Sequence, residues 1–188
     1  QPDGSIAEQT LPITAIAKTE VIDFALPRAD FQGAAYQFAI GLLQTCFAPD
    51  DEFQWQDCHL KPPTVDVLQQ AFSKAEHAFN ATGDGPLFMQ DFDSLEEAKR
   101  NSISGLLIEA PGGNGLKLNT DHFVKRGGGE AMSLPMAVLA LFTLQINAPA
   151  GGQGNRTGLR GGGPLTTLVM PQQELAPLLN STDTWLAQ

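Results

Sequence analysis

From Phe31 through Ala34, Ala35, Phe38 and Leu42 to Cys46, apolar residues recur at three- and four-residue spacing. That pattern predicts an amphipathic helix of about four turns, with Asp30 at its N-cap. Ahead of it, Glu20–Leu26 alternates imperfectly, with Val21, Ile22, Phe24 and Leu26 apolar and Pro27 closing the run. This reads as a strand. A second helical stripe runs through Val65, Leu68, Phe72, Ala75 and Phe79, headed by Thr64 as its cap. Between the two stripes, Ala48-Pro49-Asp50-Asp51-Glu52 reads as a solvated loop, and Asn80–Pro86 carries turn chemistry.

Ser94 and Glu97 form a capping-box pair that predicts a short helix to about Arg100. Beyond it, Gly105–Ala110 and Gly115–Asn119 are short enough to be strands around a Pro111-Gly112-Gly113 turn. Ser133 and Pro135 open the clearest helix, because Met136–Leu144 is apolar on nearly every face and must be buried. Leu165–Val169 reads as a strand, and Gln172–Leu179 as a terminal helix interrupted by Pro177. The expected fold class is α+β: one globular domain over residues 1–188, mixing about four to five helices with short strands and long glycine-rich loops. No internal repeat emerges.

The length of 188 residues fits one domain, and 42% hydrophobic with 17% charged residues belongs to a folded chain. Pro135–Phe142 falls well short of the ~20 apolar residues of a membrane span, so no membrane partner is expected. Cys46 and Cys58 are too few for a disulfide scaffold or a four-cysteine zinc site, and a reducing cytoplasm is the expected compartment. The formal charge of −10 argues against a general nucleic-acid coat. Its distribution is uneven: residues 1–116 carry −11, 117–160 carry +3 and 161–188 carry −2.

Thirteen of the 19 glycines fall between Gly112 and Gly163, a span that overlaps the positive stretch, grouped at Gly112-Gly113, Gly127-Gly128-Gly129, Gly151-Gly152-Gln153-Gly154 and Gly161-Gly162-Gly163. Glycine costs chain entropy, so repeated clusters mark backbone that turns sharply or approaches a partner closely. Lys117, Lys125, Arg126, Arg156 and Arg160 are interleaved with them. Amide donors and cations together suit phosphate; flexible, solubilising surface loops would have the same composition. In His122-Phe123-Val124-Lys125-Arg126, an aromatic beside cations is suited to stacking a single-stranded base and neutralising its phosphate. A buried phenylalanine on a strand edge would read the same.

Several enzyme classes lack their motifs. There is no Gly-x4-Gly-Lys-Ser/Thr phosphate loop, no strand-linked G-x-G-x-x-G and no G-x-S-x-G elbow. His59, His77 and His122 have no metal-ligand spacing, and Cys58-His59 lacks a companion pair. No catalytic residue, metal or cofactor is therefore expected. Two rival functions stay open: a phosphate- or nucleotide-binding metal-dependent enzyme using Asp50-Asp51-Glu52 to hold a cation, and a purely structural protein-binding subunit.

Leu26-Pro27-Arg28-Ala29-Asp30, the run Ala48–Glu52, Leu87-Phe88-Met89-Gln90 and above all Asn147–Gly162 with Pro164-Leu165-Thr166-Thr167 after it resemble the CasA family. The likeness extends from about Val21 to Val169. CasA is the large subunit of Cascade, the type I-E CRISPR surveillance complex. The resemblance implies a non-enzymatic antiviral-defence subunit that inspects double-stranded target DNA for the protospacer-adjacent motif and helps start strand separation. Its partners would be the guide-RNA handle, the target duplex, other Cascade subunits and a recruited helicase-nuclease that does the cutting.

By the same resemblance, Phe123 and the loop through Lys125, Arg126, Gly127, Gly128 and Gly129 dock on the guide-RNA handle. Gly151, Gly152, Gln153 and Gly154 form the loop that enters the DNA minor groove, with Arg156 and Arg160 beside it. Bare backbone can reach base acceptors at that depth, and the degenerate minor-groove code then gives relaxed motif discrimination. The division of labour is that of RNA-guided recognition, in which base pairing supplies sequence specificity.

Three departures stand out. Gln153 interrupts the glycine loop, where it either adds an amide contact or obstructs approach. Ser133-Leu134-Pro135-Met136 occupies the place of a zinc-binding cysteine pair found in some members. Members also run far beyond residue 188, so the resemblance implies the amino-terminal part of a longer subunit.

Overall fold

The computed structural model describes residues 6–90, 92, 96–124 and 129–147. Among these residues, five α-helices run in the order α1 (Ala29–Cys46), α2 (Glu52–Leu60), α3 (Val65–Phe72), α4 (Gly113–Lys117) and α5 (Leu134–Asn147). Shorter 3₁₀ turns occupy Ile13–Ala17, Ser73–Phe79 and Ile103–Leu106. Among the described residues there is no strand, so this part of the chain is helical rather than α+β. The predicted strand Leu165–Val169 and helix Gln172–Leu179 lie outside the described residues.

Each missing strand has a local cause. Residues 21–26 form no regular element, and a side chain rather than a neighbouring strand meets their backbone. Gln32 on α1 accepts from Leu26 N–H at 3.3 Å and donates to the Phe24 carbonyl at 2.5 Å. Tyr36, one turn further along, donates to Asp23 and meets the Phe24 ring edge-on at 5.5 Å. At 105–110 the backbone closes on itself, with Gly105 N–H on Ser102 O at 2.9 Å and Leu107 N–H on Ser104 O at 3.0 Å. At 113–119, Leu116 N–H reaches Gly112 O at 3.1 Å to start α4, and Asn119 at φ 52° ends it. Asparagine tolerates that left-handed conformation.

α1 and α3 follow the predicted stripes. Phe31, Ala34, Ala35, Ala39 and Leu42 are buried on α1, and Leu68, Ala71 and Phe72 on α3. Thr64 caps α3 as expected, accepting from Val67 N–H at 3.4 Å; beyond Phe72 the helix tightens into the 3₁₀ turn. Asp30 is not the cap of α1. That position falls to Arg28, whose side chain makes no capping bond, and Asp30 sits in the first turn. Residues 96–100 are turn and coil rather than helix, all exposed, so no apolar face offsets the cost of helix nucleation; Ser94 lies outside the described residues.

The core centres on Leu42, Leu68, Ala71 and Phe72, with Ile13, Ile16, Phe38 and Phe47 packed on it. α1 lies against α5 and α3, and the 13–17 turn covers α3. Phe38, Phe79, Phe88 and Phe142 form an aromatic cluster in which Phe38 meets the other three edge-on at 5.5–6.2 Å. An apolar groove of about 480 Å³ opens beside it. α5 is less enclosed than its composition predicts: Ala140, Phe142 and Thr143 are buried, while Leu134 is exposed and most of the rest is half-covered. No helix among the described residues is long and apolar enough to cross a membrane.

Candidate nucleic-acid interface

The first turn of α1 organises this region. Arg28 grips Glu109 through two parallel bonds, Nη1 to Oε1 at 2.7 Å and Nη2 to Oε2 at 2.6 Å. It also holds Asp30 through Nε at 3.0 Å and Nη2 at 2.8 Å. Its guanidinium lies 5.1 Å from the centre of the Phe31 ring. Bonding to Glu109 and then Asp30 raises the Arg28 pKa above its ordinary value, and bonding to Arg28 pulls both carboxylates below theirs. A planar fork against a carboxylate fixes direction as well as distance, so this clamp sets where the chain at 109 lies relative to α1.

From the clamp the chain leads to the loop predicted to meet nucleic acid. Leu107, two residues before Glu109, packs at the base of that loop: a Cβ built on Gly129 would stand 2.9 Å from Leu107 Cδ1. Gly129 has φ 73°, a conformation L side chains rarely adopt, so glycine is suited to this corner on both counts. On the other side, Thr120 N–H bonds Gly115 O at 2.9 Å and Val124 N–H bonds Asp121 O at 3.1 Å. Those turns carry Phe123, whose exposure is 102% of its reference value. The ring stands clear of every described residue, which removes the buried, strand-edge alternative.

Of the twelve predicted site residues, only Phe123 and Gly129 are described. Lys125, Arg126, Gly127, Gly128, Gly151, Gly152, Gln153, Gly154, Arg156 and Arg160 lie outside the described residues. The Arg28–Glu109 clamp was not foreseen from sequence. Arg28 and Asp30 are neighbours, but their partner is 81 residues away, and no periodicity announces it. The acidic run at 50–52 has local work instead: Asp51 caps α2 by accepting from Gln54 N–H at 2.8 Å, and Gln54 reaches back to Asp50 N–H at 3.1 Å. Among the described residues no three potential ligands converge on a cation site.

The sequence model of the CRISPR-associated protein Cse1 family matches residues 1–182. The chain belongs to that family. Cse1 and CasA name the same family, and membership places the chain in the type I-E CRISPR–Cas complex Cascade, alongside other subunits.

The clamp predicts how this Cse1 chain responds to acid. Both carboxylates are depressed in the folded state, so their contribution is complete above the unfolded values, about pH 4. It is lost as pH falls through the lower folded values. Glu109 is 41% exposed, so screening limits the pair to about 1 kcal/mol or less. Melting curves between pH 6 and pH 3 should therefore show Glu109→Gln with a lower melting temperature at pH 6 and a smaller further loss below pH 4. Parallel curves for the two proteins would show that the clamp contributes nothing.

Proposed function

We propose that this chain is a non-enzymatic nucleic-acid-reading part of the Cascade large subunit, acting in the cytoplasm and forming one amino-terminal unit of it. Phe123 and the loop Lys125-Arg126-Gly127-Gly128-Gly129 dock on the guide-RNA handle. Gly151-Gly152-Gln153-Gly154 enters the minor groove of the target duplex to test for the protospacer-adjacent motif, with Arg156 and Arg160 on the flanking phosphates. A recruited helicase-nuclease then cuts the DNA.

The observation that carries this is Phe123: a fully exposed ring on a turn, two residues ahead of the pair Lys125-Arg126 in the sequence. An aromatic face beside phosphate-binding side chains is the arrangement that stacks an unpaired base. The charge distribution agrees, since 117–160 is positive within an otherwise acidic chain.

The minor-groove step depends on bare backbone. In Cascade assembled with full-length subunit, Gly152→Val or Gly154→Val should weaken binding of a motif-bearing duplex by about tenfold, the scale of one lost specific contact, while guide-RNA content stays constant. Electrophoretic mobility shifts with matched and motif-scrambled duplexes measure this. Unchanged motif-dependent binding would remove the glycine loop from the mechanism.

A further inference from the structure

Among the described residues, α2 buries no side chain of its own. All nine residues from Glu52 to Leu60 are exposed except Cys58, which is half-covered. Phe53 is 76% exposed, Trp55 57% and Leu60 75%. An isolated helix shorter than about 12–15 residues is marginal in water, and packing usually supplies what propensity cannot. Here the Asp51 cap is present, and among the described residues the packing is not.

The side chains are arranged for a partner. Phe53 and Leu60 lie seven residues apart and share a face, with Asp57 between them. Trp55 and His59, four apart, stack on the opposite flank with ring centres 5.5 Å apart and planes within 3°. Large exposed apolar groups clustered on one short helix mark an interaction surface. Asp50, Asp51, Glu52 and Asp57 surround them against Lys61 alone, so the matching surface must be basic as well as apolar. That charge repels nucleic-acid phosphates, and it disfavours a second copy of a chain whose net charge is −10.

We infer that α2 is a docking helix for another protein of the complex, whose apolar groove takes Phe53 and Leu60 and whose rim carries arginine or lysine. The Trp55–His59 face takes such a cation against its rings, a pairing favoured at interface hot spots. This rests on the chain's place in Cascade and assigns it a protein-binding helix made of residues other than those proposed to meet nucleic acid.

The test uses Cascade assembled from its subunits and guide RNA, with hydrogen exchange and co-purification as readouts. Exchange at residues 52–60 should slow at least about tenfold when the other protein subunits are added. Phe53→Gln with Leu60→Gln, and separately Asp57→Lys, should each raise the apparent dissociation constant for assembly at least about tenfold, while the free chain keeps its helix content and melting temperature.

Equal assembly of wild type and variants, without protection of α2, overturns the docking helix and leaves the nucleic-acid reading standing. Protection by guide RNA alone overturns it in favour of a nucleic-acid face. A lower melting temperature in the free Phe53/Leu60 variant overturns it by showing that the face packs on its own chain. Failure of the wild-type chain to enter the complex overturns both proposals together.

Discussion

Replacing Phe123 by alanine is expected to cost roughly tenfold to a hundredfold in affinity for the guide-RNA-loaded complex. The figure follows from the ~1–3 kcal/mol that stacking one base on an aromatic side chain supplies. The ring contributes nothing to the core, because its whole surface is open, so the free chain should melt at the same temperature with and without it. Phe123→Tyr and Phe123→Trp keep a π-face and should retain most of the affinity; Phe123→Leu keeps the apolar volume without the face and should not. Titration of labelled guide RNA in the assembled complex, paired with thermal melts, separates these outcomes. If alanine binds as well as phenylalanine, no base stacks there and the handle contact must be found elsewhere.

The helices that bury a face were legible from spacing. Phe31, Ala34, Ala35 and Leu42 repeat at helical intervals because that face meets the core, and Thr64 before Val65 marks a start whose cap bond forms as read. α2 was not legible. Glu52–Leu60 turns no consistent face inward, so it carries no stripe, and its one signal, Asp51 two residues before Phe53, sat in a run of carboxylates that reads as solvated.

The strand expectations failed for a different reason. Val21, Ile22, Phe24 and Leu26 have strand-like composition, but a strand needs a partner's backbone, and here the Gln32 side chain bonds the backbone at Phe24 and Leu26 while Tyr36 holds the Asp23 carboxylate. Short apolar runs such as Leu106-Leu107-Ile108 carry no periodicity that tells a tight turn from a strand. In the candidate interface, Phe123 beside two cations was visible in sequence as chemistry, whereas its exposure was not. The Arg28–Glu109 clamp that helps fix the base of its loop joins residues too far apart for any local pattern to reveal.

Leu68→Ala should produce the largest loss of stability. Leu68 is 1% exposed, at the point where α3 is held between the 13–17 turn and α1, and it shares its cluster with Leu42, Ala71 and Phe72. Removing a buried leucine side chain costs about 2–5 kcal/mol, toward the upper end where surrounding atoms cannot collapse into the space. Against a total of ~5–15 kcal/mol for a domain, this leaves a measurable unfolded population near physiological temperature. Leu68→Met, which conserves volume, should stay within about 1.5 kcal/mol of wild type. Urea denaturation reads the difference directly, and assembly measured at two temperatures separates it from the Phe123 effect. Cooling toward the stability maximum refolds Leu68→Ala and restores its entry into the complex, but it returns no missing ring to Phe123→Ala. A wild-type urea midpoint for Leu68→Ala would mean that α3 is not held by this cluster.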